Sequence, residues 1–192
     1  MDSLAKIDIK AVLEQKAPKV AHRVPDWLIA YLAKTIHQTE LNEILSRYHD
    51  QQGVDFMRSM IDYFDLHFEL IHPERIPQEG RFIFASNHPL GGLDGICLSV
   101  LIGNLFRDKI YYLVNDLLLH IPNLRKIFVP INKHGAQSRE AAIQMEQAYA
   151  SDHQIITFPA GLCSRKIKGK IQDLDWKKSF IQKAVSYQRD II

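Results

Sequence analysis

Arg81-Phe82-Ile83-Phe84-Ala85-Ser86-Asn87-His88-Pro89-Leu90-Gly91-Gly92-Leu93-Asp94-Gly95 leads from a short apolar run through a polar, glycine-rich turn into a second apolar run that continues to Ile102. A brief apolar run bounded by turn residues predicts a buried strand over 81–85, and the longer run after the turn predicts a helix. Strand-to-helix turns of this kind are where open α/β sheets carry their sites. This turn holds an imidazole, His88, and a carboxylate, Asp94, six positions apart. It has the outline of a His/Asp pair.

Working outward, the first third of the chain reads as helical. Residues 1–24 are mixed in pattern and predict either a loosely ordered segment or a packing arm. From Pro25 onward Trp27, Leu28, Tyr31 and Leu32 recur at helix spacing. Thr39 suits a helix cap ahead of the stripe Leu41, Ile44, Leu45 and Tyr48, and a third stripe, Val54, Met57, Ile61 and Phe64, follows Gly53. Strand signals then appear over 67–71, 81–85, 110–114, 126–131 and 155–158, with helices after Asp94, near 117–120, over 137–150 and over 175–188. Strands alternating with helices predict an α/β fold: a mostly parallel sheet flanked by helices, with an N-terminal helical layer. The organisation expected is a helical region over 1–65 and an α/β core over 66–192.

Ile155-Ile156-Thr157-Phe158-Pro159-Ala160-Gly161-Leu162-Cys163-Ser164-Arg165 is a second apolar strand running into a Pro/Gly turn that ends in a cation. Asn87-His88 with Asp94, and Phe158-Pro159-x-Gly161-x-x-Ser164-Arg165 about seventy residues later, together resemble the first and third motifs of the glycerolipid acyltransferase superfamily. The closer resemblance is to its bacterial branch once labelled haemolysin-like, which includes acyltransferases that build ornithine and glycine lipids. It covers roughly residues 40–192. Two departures stand out: five residues separate His88 from Asp94 where the superfamily has four, and Ala160, Leu162 and Cys163 stand where its third motif has Glu, Thr and Arg. The first requires the Gly91-Gly92 turn to absorb an extra residue. The second removes groups that contact a glycerol phosphate acceptor. In the resembled family the core continues beyond the Arg189-Asp190-Ile191-Ile192 segment, so further C-terminal strands are expected to be missing here.

The resemblance implies acyl transfer from an acyl carrier protein or coenzyme A thioester, used as co-substrate with no bound cofactor, to the amine or hydroxyl of a small polar lipid precursor. An amino-acid lipid of glycine or ornithine type is favoured over phosphatidic acid synthesis; a 1-acylglycerol-3-phosphate acyltransferase and a non-catalytic lipid-binding relative are the alternatives. For this chemistry His88 removes the acceptor proton, and Asp94 holds the ring tautomer and stabilises its charged form. Asp94 also suits a helix cap, and the two roles are compatible. Asn87 and the backbone N–H groups of Gly91 and Gly92 suit the oxyanion or a phosphate. Phe158, Pro159, Gly161 and Ser164 form the second turn, and Arg165 and Lys166 suit an anionic head. Lys133 lies where the family's second motif places a basic acceptor contact. A thiol mechanism would instead make Cys163 the nucleophile.

No His-Glu-x-x-His or Cys-x-x-Cys spacing and no Gly-x-Ser-x-Gly elbow is present, so no metal site or serine elbow is expected. Net charge is only +2, too weak to argue for a nucleic-acid partner, and none is expected. The cations are nonetheless concentrated: Arg165, Lys166, Lys168, Lys170, Lys177 and Lys178 fall within fourteen residues, with Asp173 and Asp175 as the counter-charges. This patch suits membrane surface lipids or an acyl carrier protein. Trp176 among them suits an interfacial anchor or a rim position. The N-terminus lacks the basic-then-apolar pattern of a secretory signal, and no apolar run reaches the ~18–20 residues of a membrane span. The two cysteines suggest no disulfide framework. The expected location is cytoplasmic, peripheral on the inner face of the cell membrane.

Overall fold

The computed structural model describes residues 6–16, 18–35, 37–131 and 138–192. Helices α1 (Ile9–Lys16), α2 (Pro18–Ala21), α3 (Asp26–Thr35), α4 (Gln38–Arg47) and α5 (Val54–Tyr63) precede the first strand, β1 (Phe82–Ala85). Then follow α6 (Gly92–Leu105), β2 (Ile110–Asn115), β3 (Phe128–Ile131), α7 (Arg139–Ala150), β4 (Gln154–Thr157), β5 (Arg165–Ile167), β6 (Lys170–Gln172), α8 (Ser179–Tyr187) and β7 (Asp190–Ile191). Five of these strands form one sheet in the order β3-β2-β4-β1-β7, every pairing parallel. The fold is α/β, as the alternation of strand and helix signals predicts.

Strand residues alternate between two cores, as a pleated sheet covered on both faces requires. Phe82, Phe84, Tyr112, Val114, Phe128 and Ile156 pack with α4, α5 and α6, whereas Ile83, Leu113, Val129 and Ile155 pack with α7 and α8. Ile83, Ile110, Ile155 and Ile156 are completely buried. Each such side chain contributes about 1.5–3 kcal/mol relative to exposure.

Polar groups fix the register inside this apolar frame. Buried Gln154 accepts from the Phe82 N–H (2.7 Å) and donates to the Gly80 carbonyl (2.9 Å), pinning the start of β1 to β4. Arg189 is only 4% exposed, and its guanidinium donates to the carbonyls of Tyr149 (2.8 Å), His153 (2.8 Å) and Ser151. Those carbonyls lie at the end of α7 and in the loop into β4, where orphan acceptors would otherwise be buried. Asn123 ties the helical layer to the sheet by donating to the carbonyls of Tyr48 (2.9 Å) and Gln51 (2.7 Å).

Several expectations are corrected. The segment 67–71 forms no strand; Phe68, Leu70 and Ile71 are exposed, with no partner strand to complete the alternation. Of the two readings of the segment before Pro25, the loosely ordered one gives way to the packing arm: the segment is helical in α1 and α2, and the Ile7 N–H donates to the Asn42 side chain (2.7 Å). Thr39 does not cap α4, which begins at Gln38 after His37 in a left-handed conformation. The last helix begins at Ser179, because the residues before it belong to an antiparallel hairpin, β5–β6, and its outgoing turn. Lys168 (φ 49°) and Gly169 (φ 84°) make the hairpin turn. Two successive residues at positive φ match the twist of such a ribbon.

Candidate active site

β1 and β4 are neighbours with Ala85 opposite Thr157, so the turns that follow them leave the sheet side by side. The Ser86 N–H donates to the Thr157 carbonyl (3.1 Å), extending the ladder one step into the turn. Beyond it the Ser86 hydroxyl donates to the side-chain oxygen of exposed Asn87 (3.3 Å). His88 comes next, and its Nδ1 lies 3.1 Å from Asp94 Oδ2. Both side chains are largely shielded, at 16% and 14% exposed. With Nδ1–H donated to the carboxylate, Nε2 is left as the basic site of the ring.

The extra residue between His88 and Asp94 is absorbed at Gly91. Its φ of 67° with ψ of −125° is open to glycine but not to L side chains, and a Cβ there would stand 3.3 Å from Cys163 Sγ. Gly91 takes the cap position of α6, and Asp94 sits inside the first turn instead of capping it. Its Oδ2 also accepts the Leu90 N–H (2.8 Å), so one oxygen holds both the turn and the imidazole.

The second turn packs directly against the first. Phe158 stacks on the His88 ring with centroids 4.1 Å apart and an interplanar angle of 28°. Ser164 donates its N–H to the His88 carbonyl (2.8 Å), and the Gly161 N–H donates to the Phe158 carbonyl (2.9 Å). The Pro159 carbonyl accepts the Lys177 N–H (3.1 Å), so the segment before α8 is tied to the same turn. Arg165 and Lys166 follow Ser164 into β5 and are exposed; Gly92 is exposed at the start of α6. The structure therefore gathers Asn87, His88, Gly91, Gly92, Asp94, Phe158, Pro159, Gly161, Ser164, Arg165 and Lys166 around two adjoining turns. Lys133 lies outside the described residues.

Three features escape a reading of the sequence. Tyr112 of β2 packs edge-on to Phe158 (5.6 Å) beneath the pair, and burial, then the charge of Asp94, pushes its hydroxyl far above the ordinary phenol range. It is a neutral wall. Asp173 accepts from the Ser164 hydroxyl and from the Trp176 indole N–H (2.9 Å), which hold its carboxyl below the usual carboxylate range. Trp176 is thereby a partner of the site's polar network, and its ring also packs edge-on to Phe180. Its three-residue spacing from Asp173 is the one signal the sequence offers. The third feature is a largely apolar cavity of about 700 Å³ between α4, α5, α6 and the sheet, lined by Met57, Met60, Leu93, Ile96, Tyr112 and Phe128 among others. It shares Gly92 and Leu93 with the turn that carries the pair. Its size falls within the ~300–1,000 Å³ of ligand sites.

The arrangement suits proton removal by His88 beside an apolar compartment, with cations on the neighbouring hairpin. A family model described as an acyltransferase matches residues 11–192. A lyso-glycine lipid O-acyltransferase of Bacteroides thetaiotaomicron is 44% identical over 191 residues, covering 100% of this chain and 70% of that protein. A protein of the same name from Phocaeicola vulgatus is 42% identical, covering 100% of this chain and 68% of its own length. No solved structure matches the chain. Among the described residues, no helix is long and apolar enough to cross a membrane.

Proposed function

Since the chain belongs to this acyltransferase family, we propose that it moves a fatty acyl group from a thioester to the hydroxyl of a monoacylated amino-acid lipid, of the lyso-glycine type named for its relatives. The observation that carries the reading is the His88 Nδ1 to Asp94 Oδ2 contact at 3.1 Å on the turn that borders the apolar cavity. His88 Nε2 takes the acceptor O–H proton as the oxygen attacks the thioester carbonyl; Asp94 stabilises the imidazolium that forms. The C–O bond forms, the C–S bond breaks, and the proton passes from His88 to the departing thiolate. Asn87 and the N–H groups at the start of α6 face the developing oxyanion. The cavity takes an acyl chain, and Arg165 and Lys166 pair with the carboxylate of an acylated amino acid.

The acyl donor is an acyl carrier protein or coenzyme A thioester. The protein works at a membrane surface on the cytoplasmic side, where the cations of the hairpin and of Lys177 and Lys178 meet anionic headgroups. Ala160 supports an amino-acid lipid over a glycerol phosphate: it is only 5% exposed, and it offers a polyol no hydrogen bond where the superfamily has Glu.

The test offers purified protein one acyl thioester, on each carrier in turn, with lyso-glycine lipid, lysophosphatidic acid and free glycine as competing acceptors. Ester formation on the lyso-glycine lipid is expected, with His88→Ala slower by roughly 10² to 10⁴-fold and Cys163→Ala close to wild type. A clear preference for lysophosphatidic acid overturns the acceptor assignment, and a fully active His88→Ala overturns the mechanism.

A further inference from the structure

The carboxylate of Asp173 gathers donors from three separate pieces of chain. Its Oδ1 accepts the backbone N–H of His88 (3.3 Å) and the Ser164 hydroxyl; its Oδ2 accepts the Trp176 indole N–H. Because Ser164 also donates its own N–H to the His88 carbonyl, both backbone polar groups of His88 are held by the second turn and the segment that follows the hairpin. Nothing in the proton transfer itself calls for Asp173. It is an acceptor with no proton to give, since the Ser164 hydroxyl first and the Trp176 indole second favour its ionised form.

We propose that Asp173 is a positioning residue for the acyl transfer, clamping the backbone of His88 to the turn and hairpin that carry the acceptor-binding cations. The clamp complements the side-chain contacts. Asp94 sets the tautomer of the imidazole and Phe158 its plane, but neither fixes the backbone from which the ring hangs. Asp173 lies one residue beyond β6, and β6 pairs with β5, where Arg165 and Lys166 sit. The same carboxylate therefore sets the separation between the base and the cations that hold the acceptor head. A chain that binds both substrates but lets this separation drift loses the attack geometry, and a displacement of about 1 Å is enough to cost roughly 10²-fold in rate.

The inference rests on His88 as the base, and the experiment separates the two. Kinetics are measured on purified protein for His88→Ala, Ser164→Ala, Asp173→Ala, Asp173→Asn and the Ser164→Ala/Asp173→Ala double variant, with thermal unfolding recorded for each. Asp173→Ala is expected to lower kcat by roughly 10- to 10²-fold with KM for the thioester nearly unchanged. Asp173→Asn keeps an oxygen for His88 and Ser164 while losing the Trp176 bond, so it should restore most of the rate. The double variant should be no slower than Asp173→Ala alone, because residues acting through one clamp are not additive. Wild-type kcat in Asp173→Ala, with His88→Ala inactive, overturns the clamp and spares the base. Equal losses in Asp173→Ala and Asp173→Asn that track a fall in Tm, with Ser164→Ala adding in full, also overturn it by showing a merely structural role. An active His88→Ala overturns both.

Discussion

Replacing Gly95 with alanine adds one methyl group to α6 directly after Asp94, and the structure specifies what it meets. An ideal Cβ there would stand 2.6 Å from the Tyr112 hydroxyl, 2.7 Å from its Cε1 and 2.9 Å from its Cζ. The tyrosine cannot retreat freely, because its ring is 7% exposed and is packed edge-on against both Phe128 (5.3 Å) and Phe158 (5.6 Å). The helix has to move instead. Overpacking of this kind costs about 1–3 kcal/mol. Alanine recovers about 1 kcal/mol through its helix preference over glycine. The net loss is therefore about 0–2 kcal/mol, which lowers Tm by up to roughly 8 °C for a chain of this size. A shift of about half an ångström to one ångström in α6 carries Asp94 away from His88, so acyl transfer should slow by roughly 10- to 10²-fold. Thermal unfolding and initial rates at 25 °C check both figures, with Gly92→Ala as the control for stability, since a Cβ at that position meets nothing within 4 Å. A Gly95→Ala protein with wild-type Tm and rate would refute the packing argument. One that loses stability but keeps its rate would show that Tyr112 yields before the helix does, and would refute the coupling to Asp94.

Binding to acidic vesicles should weaken roughly 30-fold or more when Lys177 and Lys178 are changed to Glu, since each surface cation near anionic lipid is worth about 1 kcal/mol; equal binding of the variant to acidic vesicles would point to a hydrophobic anchor. Stability should also fall as the solution is acidified because of His153. Its ring is stacked on Tyr111 (4.5 Å) with a buried, unpartnered Nδ1, and burial first, then Lys109, lowers its pKa from the ordinary 6.5. The unfolded chain therefore takes up a proton that the folded chain resists, so this stability is present above pH 6.5 and is lost progressively below it. His153→Phe should flatten that part of the urea-midpoint profile between pH 7.5 and 5, and an unchanged slope would sink the assignment.

The parts of the fold that were legible in the sequence are those where burial on both faces writes a continuous apolar run. β1 and β4 are examples, and each stops at a turn whose residues announce themselves. The β5–β6 hairpin was not legible because its residues are solvated: Lys166 faces Ile171 across the ribbon and Ile167 faces Lys170, so neither side carries an apolar pattern. Its turn is also unusual, with a lysine rather than Asn or Asp holding positive φ before the glycine. Residues 67–71 misled in the opposite way, alternating without a neighbour to pair with. At the site, the approach of His88 to Asp94 was anticipated from the motif. The cavity was not, because Met57 and Met60 of α5, Ile96 of α6 and Phe128 of β3 converge from three distant segments, each of which reads as ordinary core. Asp173 was also missed. Its partners are a backbone N–H and two side chains of kinds common in loops, and within a basic segment its charge reads as simple compensation.

The pairing of β1 with β4 has a kinetic corollary. His88 and Phe158 are far apart in the chain, yet they touch only because Ala85 lies opposite Thr157, so no local fragment of the polypeptide can assemble the pair with its stacking partner. Closing a loop of that length is an entropic step that precedes any return from the contacts it enables. In a refolding reaction, recovery of acyl transfer should consequently lag behind helix formation and coincide with the docking of β4. Enzymatic turnover thus becomes a clock for the arrival of the central strand.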